Sequence, residues 1–185
     1  GSGTHDITLT NNGQYIGNIT NGGSLDINVT GADIIFGADT DLDLNTLSVS
    51  DDGSLAFSLQ ADDAGETIVD FTQLNAVTAS LADGTQVNTR FEGALVQTEF
   101  TGTVLSSANL DFDVDALLLN TDGSNPFLFD QSLSVENGGQ DLVLTLRRKE
   151  ASEVGIGAGR QAAYEPIITA LTSDDALGAF LFNST

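Results

Sequence analysis

The 185 residues hold 27 acidic against 5 basic side chains, a formal net charge of −22 at pH 7, and 40 % of them are hydrophobic. That apolar share is enough for a continuous core, while a field of this sign repels phosphate backbones and disfavours anionic lipid surfaces, which argues against nucleic acid as a partner. Cysteine is absent, which excludes disulfides, thiolate catalysis and Cys-based zinc sites and leaves the compartment open.

Taken in chain order, Gly1-Ser2-Gly3 has the look of an engineering remnant, and residues 1–5 are expected to be disordered. Over residues 6–84 apolar side chains alternate with polar ones. Ile7/Leu9, Leu25/Ile27/Val29, Leu42/Leu44, Leu47/Val49 and Leu55/Phe57/Leu59 each place apolar groups on one face of a strand. Turns are expected at Asn12-Gly13, Asn21-Gly22-Gly23, Asp52-Gly53 and Asp83-Gly84, because Gly and Asn tolerate the positive φ of tight turns. No helical pattern intervenes, so sandwich, barrel and β-solenoid are all admissible. A solenoid fits the composition best: aromatics are only 6 %, Trp is missing, and stacked coils bury like on like with short aliphatics.

Residues 85–149 depart from this pattern. Phe91, Phe100, Phe112, Phe127 and Phe129 are half of the ten phenylalanines, and such bulk suits a cap over the exposed end of a stack. Strands are read at Phe112/Val114, Leu133/Val135 and Leu142/Leu144/Leu146, with turns at Asp122-Gly123 and Asn137-Gly138-Gly139. Arg90 is the one base before residue 147, whereas Arg147, Arg148, Lys149 and Arg160 follow, which marks a boundary. Residues 150–185 read as a helical connector. Tyr164, Ile167, Ile168 and Leu171 share a helical face, and Pro166 opens or kinks that helix. Ser173 with Asp174-Asp175 begins a second helix carrying Leu177, Phe180 and Leu181.

From about Thr85 to Asn183 the chain resembles the C-terminal part of Gram-negative type V autotransporter passengers, with their autochaperone region and connector. The strand Asp141-Leu142-Val143-Leu144-Thr145-Leu146 running into Arg147-Arg148-Lys149 carries the resemblance. So do the step Ala151-Ser152-Glu153-Val154-Gly155, then Ala162-Ala163-Tyr164 with Ala170-Leu171, and Asp175-Ala176-Leu177. The resemblance implies an all-β protein: a right-handed parallel β-helix over residues 6–84, a C-terminal β cap over 85–149, and a short helical tail. It also implies a cell-surface location, anchored in the outer membrane through the parent protein's own C-terminal β-barrel, which would lie beyond Thr185. The expected function is a non-catalytic, monomeric passenger stalk without cofactors, whose cap supports folding during secretion. Two alternatives stand beside it: an adhesive module for a host or cell-surface ligand, in a calcium-dependent form, and an Ig-like sandwich stalk.

Candidate site residues are few. His5 is the sole histidine and sits in the expected disordered terminus, which removes Ser-His-Asp and His-metal chemistry elsewhere. Asp39, Asp41 and Asp43, and likewise Asp111, Asp113 and Asp115, would put three carboxylates on one strand face, where oxygen ligands collect calcium. Neither run has EF-hand spacing, and Asn21-Gly22-Gly23-Ser24-Leu25-Asp26 departs from the calcium-binding nonapeptide without repeating, so solvated faces are favoured. Asp62-Asp63 lacks the bases and aromatic platforms of a carbohydrate-active site and reads as a turn. Arg147, Arg148 and Lys149 either face membrane headgroups or terminate the sheet, with Tyr164 in the connector behind them. Asn183 is followed by Ser184, not by the Asn of self-cleaving connectors.

Overall fold

A computed structural model describes residues 5–19, 24–93, 95–119 and 128–172. These are mostly strand: β1 His5–Thr10, β2 Gln14–Gly17, β3 Leu25–Thr30, β4 Asp33–Phe36, β5 Asp41–Ser50, β6 Ser54–Ala61 and β7 Ile68–Phe71. There follow β8 Gln73–Leu81, β9 Gln86–Glu92, β10 Glu99–Asp111, β11 Leu118–Leu119, β12 Phe129–Glu136 and β13 Asp141–Arg148, and then one α-helix, α1 Tyr164–Thr172.

The strands form two sheets, with orders β1-β3-β5-β8-β10-β13-β12 and β11-β9-β6-β4-β2, and β7 attached to β6. From β1 to β11 the chain therefore passes repeatedly from the first sheet to the second and back. Each return lays the new strand parallel to the strand of the previous pass. Register partners lie 20 residues apart early in the stack, as Thr30 with Ser50, and 32 apart later, as Leu42 with Leu74. An Ig-like sandwich is ruled out as the architecture, because its sheets are antiparallel. No closed barrel is present among the described residues.

Parallel register puts like on like. Ile7, Ile27, Leu47, Ala79 and Leu110 form one inward row of the first sheet, and Leu9, Val29, Val49 and Leu81 another. Tyr15, Ile34, Leu55, Val87 and Leu119 form the facing row of the second sheet, with Phe36 on Phe57 beside it. Ile27, Ile34 and Leu55 are fully inaccessible, and each such side chain removed from water contributes about 1.5–3 kcal/mol. The corners after β1 and β5 use left-handed residues, Asn11 and Asn12, then Asp51 and Asp52. Gly53 must be small for another reason: a Cβ there would lie 2.8 Å from Val49 Cγ1.

Three expectations need correction. His5 is not in a disordered terminus: it begins β1, in register with Leu25, and its N–H donates to Ser24 O at 2.9 Å. Leu42/Leu44 and Leu47/Val49 belong to one strand, because pairing skips Asn45, Val77 and Ala108 at the same level of β5, β8 and β10. That shared step returns the apolar residues to the inner face and leaves Val77 57 % exposed. Val114 is not in a strand with Phe112, since β10 ends at Asp111 and Val114–Ala116 is a single 3-10 turn. Across residue 85 the parallel register continues through β9, the second half of β10 and β11.

Candidate functional site

The repeating pattern ends within one long strand. The second half of β10 pairs parallel with β8, whereas its first half pairs antiparallel with β13. Strand β13 is in turn one arm of the β12–β13 hairpin, whose turn is made by Asn137, Gly138 and Gly139, all at positive φ. Leu142, Leu144 and Leu146 point into the core as their alternation predicts, and Leu105 sits beside Leu142, so the hairpin extends the hydrophobic rows and closes that side.

Of the phenylalanines expected to form one lid, Phe91 pairs with Phe129, and Phe100 pairs instead with Phe71. Phe91 of β9 stacks on Phe129 of β12 with centroids 5.2 Å apart, joining the second sheet to the hairpin. Phe100 meets Phe71 edge-to-face, also at 5.2 Å. Gly102 makes room for that pair, because a Cβ there would be 2.6 Å from Phe100 Cζ. Phe112 is half-buried against the core, and Phe127 lies outside the described residues. Sequence reasoning missed Phe71. Its place in a short polar-flanked run, ahead of the phenylalanine cluster, carries no signal of where the chain brings it.

The basic cluster turns toward the protein. Arg148, with a side chain only 7 % exposed, donates from Nη1 to Val96 O at 2.8 Å and from Nη2 to both oxygens of Glu165 at 2.8 and 2.7 Å. Its guanidinium lies 5.9 Å from the centre of the Tyr164 ring, whose hydroxyl donates to Lys149 O at 2.7 Å. Arg147 grips Glu153 with two bonds of 2.8 Å and also meets Asp130, while Lys149 Nζ is 3.6 Å from Asp130. The bond from Arg147 and a backbone bond from Glu150 hold the Glu153 carboxyl down at a pKa of about 2. Burial raises the Tyr164 phenol. A cavity of about 350 Å³ lies between Thr98 and these paired charges.

These contacts fold residues 150–172 back onto the β12–β13 hairpin. Ala151, Val154 and Ile156 pack against the core, a 3-10 segment runs over Ala158–Ala163, and α1 buries Tyr164 and Ile168. Ile167, expected on the same face, is 52 % exposed, because a short helix buries only the i, i+4 pair that meets the sheet. Pro166 stands in the first turn of α1, where its missing N–H costs nothing. The Leu171 side chain, the expected second helix and Asn183 lie outside the described residues. No helix among the described residues is long and apolar enough to cross a membrane.

The carboxylate ladders do not assemble. Asp41 and Asp43 alternate along the exposed face of β5, and Asp39 sits in the preceding turn. Asp111, Asp113 and Asp115 do not share a strand face: Asp113 caps the 3-10 turn, its Oδ1 accepting from the Asp115 N–H at 3.0 Å. A carboxylate used as a local cap is bound to its own backbone. Among the described residues no three acidic or histidine side chains come together as a metal site. Asp62-Asp63 is a turn, with Asp62 Oδ1 accepting from the Glu66 N–H at 2.8 Å. No family model, no curated protein and no solved structure matches this chain.

Proposed function

We propose that the protein is the end of a non-catalytic, surface-exposed stalk of the autotransporter-passenger kind, in which the two sheets are walls of one right-handed β-solenoid and the terminal hairpin starts its folding. On this reading it stands outside the outer membrane of a Gram-negative cell, and its main partner is the parent protein's β-barrel. The observation that carries the reading is the change from parallel to antiparallel pairing within β10.

The kinetics follow from loop lengths. The β12–β13 hairpin closes over a four-residue turn, and hairpins of that kind form in about 1–10 μs. Every parallel pair must instead close a loop of 19 to 32 residues before any burial rewards it. The β12–β13 hairpin therefore forms before the parallel stack, β10 adds to it, and each earlier parallel pair finds a finished edge on which to stack. A chain emerging with this end nearest the membrane folds outward from there, and its negative surface discourages association between exposed edges.

Pulse-labelled hydrogen exchange during refolding tests this. Amides of β10, β12 and β13 should gain protection first, and protection should spread toward β1. Earlier or simultaneous protection of β3 to β6 refutes cap-first folding. Protease shaving of intact cells tests the location: an epitope in residues 5–19 should be removed without lysis.

A further inference from the structure

On the outer face of the second sheet, β6 presents only small side chains in its first half, Ser54 and Ala56, at 4 % and 5 % exposure. Their register neighbours are larger: Asp33 and Ile35 on β4, Gln86 and Asn88 on β9. Small residues between taller walls leave a depression of about 100 Å³, bordered beyond Asp33 by Gln14 of β2. Asn88 lines it, is only 6 % exposed, and its Oδ1 has no hydrogen-bond partner among the described residues.

An unpaired buried carboxamide oxygen destabilises the folded state, and a position that served packing alone would be better filled by an apolar side chain. The chemistry of the depression indicates what would satisfy it. Carboxamides on Gln14, Gln86 and Asn88 supply both donors and acceptors, and Asp33, which accepts from the Ser54 hydroxyl at 2.6 Å, has further lone pairs. Ile35 and Ala56 add aliphatic contact. No base lines the walls, so an anionic ligand has no counter-charge against the overall −22.

We propose that this depression binds the hydroxyl edge of a neutral saccharide, with Asn88 Oδ1 accepting from one hydroxyl and the neighbouring carboxamides donating to the next. Vicinal hydroxyls, each both donor and acceptor on an aliphatic ring, match this alternation. A shallow site for part of one ring holds it with a Kd on the order of 1 mM. The inference goes beyond the stalk reading and does not depend on it.

The test is an NMR titration of the full chain with glucose, galactose, mannose and N-acetylglucosamine. At least one sugar should give saturable shifts confined to Ala56, Gln86 and Asn88 and their neighbours. Asn88→Ala should weaken binding by roughly tenfold or more, the loss of one well-placed hydrogen bond. Ala56→Leu, which fills the floor, should abolish it. Asn88→Val should lose binding yet raise Tm, because it removes an unpaired polar group. The proposal fails if none of the four sugars gives saturable shifts, or if the shifts survive Asn88→Ala. It fails equally if only calcium chloride or methylammonium chloride produces them, which would make this a cation site, or if Asn88→Val lowers Tm.

Discussion

Phe129 is the side chain through which the hairpin grips the stack, and replacing it by alanine separates the stability of the cap from its place in the folding order. The ring is 1 % exposed and stacked on Phe91, so truncation removes a fully buried aromatic and leaves a cavity between β9 and β12. Substitutions of this kind cost about 3–5 kcal/mol, of which the aromatic pairing itself is about 0.5–1.5 kcal/mol. A double-mutant cycle with Phe91→Ala isolates that pairing energy by urea denaturation. If the hairpin contacts are formed in the folding transition state, the loss falls mainly on the folding rate, and at 1.36 kcal/mol per decade refolding slows by roughly two to four orders of magnitude. Ile27→Ala in β3, a fully buried site early in the stack, is the counterpart. It should cost about 2–5 kcal/mol and speed unfolding while leaving refolding nearly unchanged. Stopped-flow refolding and unfolding limbs decide the matter. Unslowed refolding of Phe129→Ala, or refolding of Ile27→Ala slowed to the same degree, refutes the cap-first order.

Three further outcomes follow from the same contacts. Arg148→Met keeps the aliphatic stem but removes the bonds to Val96 O and Glu165; it should cost about 1–3 kcal/mol and raise hydrogen exchange in residues 150–172 more than in β3 to β6. Glu153 has a folded pKa of about 2 against an ordinary value of 4.5, so its contribution is fully present above pH 4.5 and is lost as pH falls toward 2. Urea midpoints at stepped pH should decline less steeply across that window in Glu153→Gln than in the parent. Thr72 is inaccessible, and its Oγ1 accepts from the Ser58 N–H at 2.9 Å and donates to Gly37 O at 3.1 Å, bridging the point where β7 replaces β4 beside β6. Thr72→Val preserves shape but leaves the Ser58 N–H unpaired, while Gly37 O keeps its bond from the Thr40 N–H, so the expected loss is about 1–3 kcal/mol by equilibrium unfolding.

Some of this architecture can be read directly from the residues. The alternation of Leu25/Ile27/Val29, Leu55/Phe57/Leu59 and Leu142/Leu144/Leu146 identifies strands and their inner faces, because side chains on an extended chain point alternately to opposite sides. The β12–β13 hairpin was legible as two alternating runs about Asn137-Gly138-Gly139, and the phenylalanines near it only as a concentration. Which ring meets which was not, since Phe71 and Phe100 are brought together by β7 crossing beside β6 and not by any spacing in the chain. The depression on the second sheet was equally hidden: Asn88 looks like an ordinary outward residue until its neighbours in register are known.

Composition and periodicity by themselves determined that this is an acidic chain of strands with apolar inner faces and turn residues at its corners, because those properties depend on charge and on the two-residue repeat of extended backbone. Only the tertiary structure decided that the partners are parallel and 19 to 32 residues distant, that β10 changes from parallel to antiparallel pairing, and that Arg147 and Arg148 bind the tail. A period of two specifies which face of a strand is buried. It does not specify which strand lies alongside, a choice made by how all the rows fit together at once.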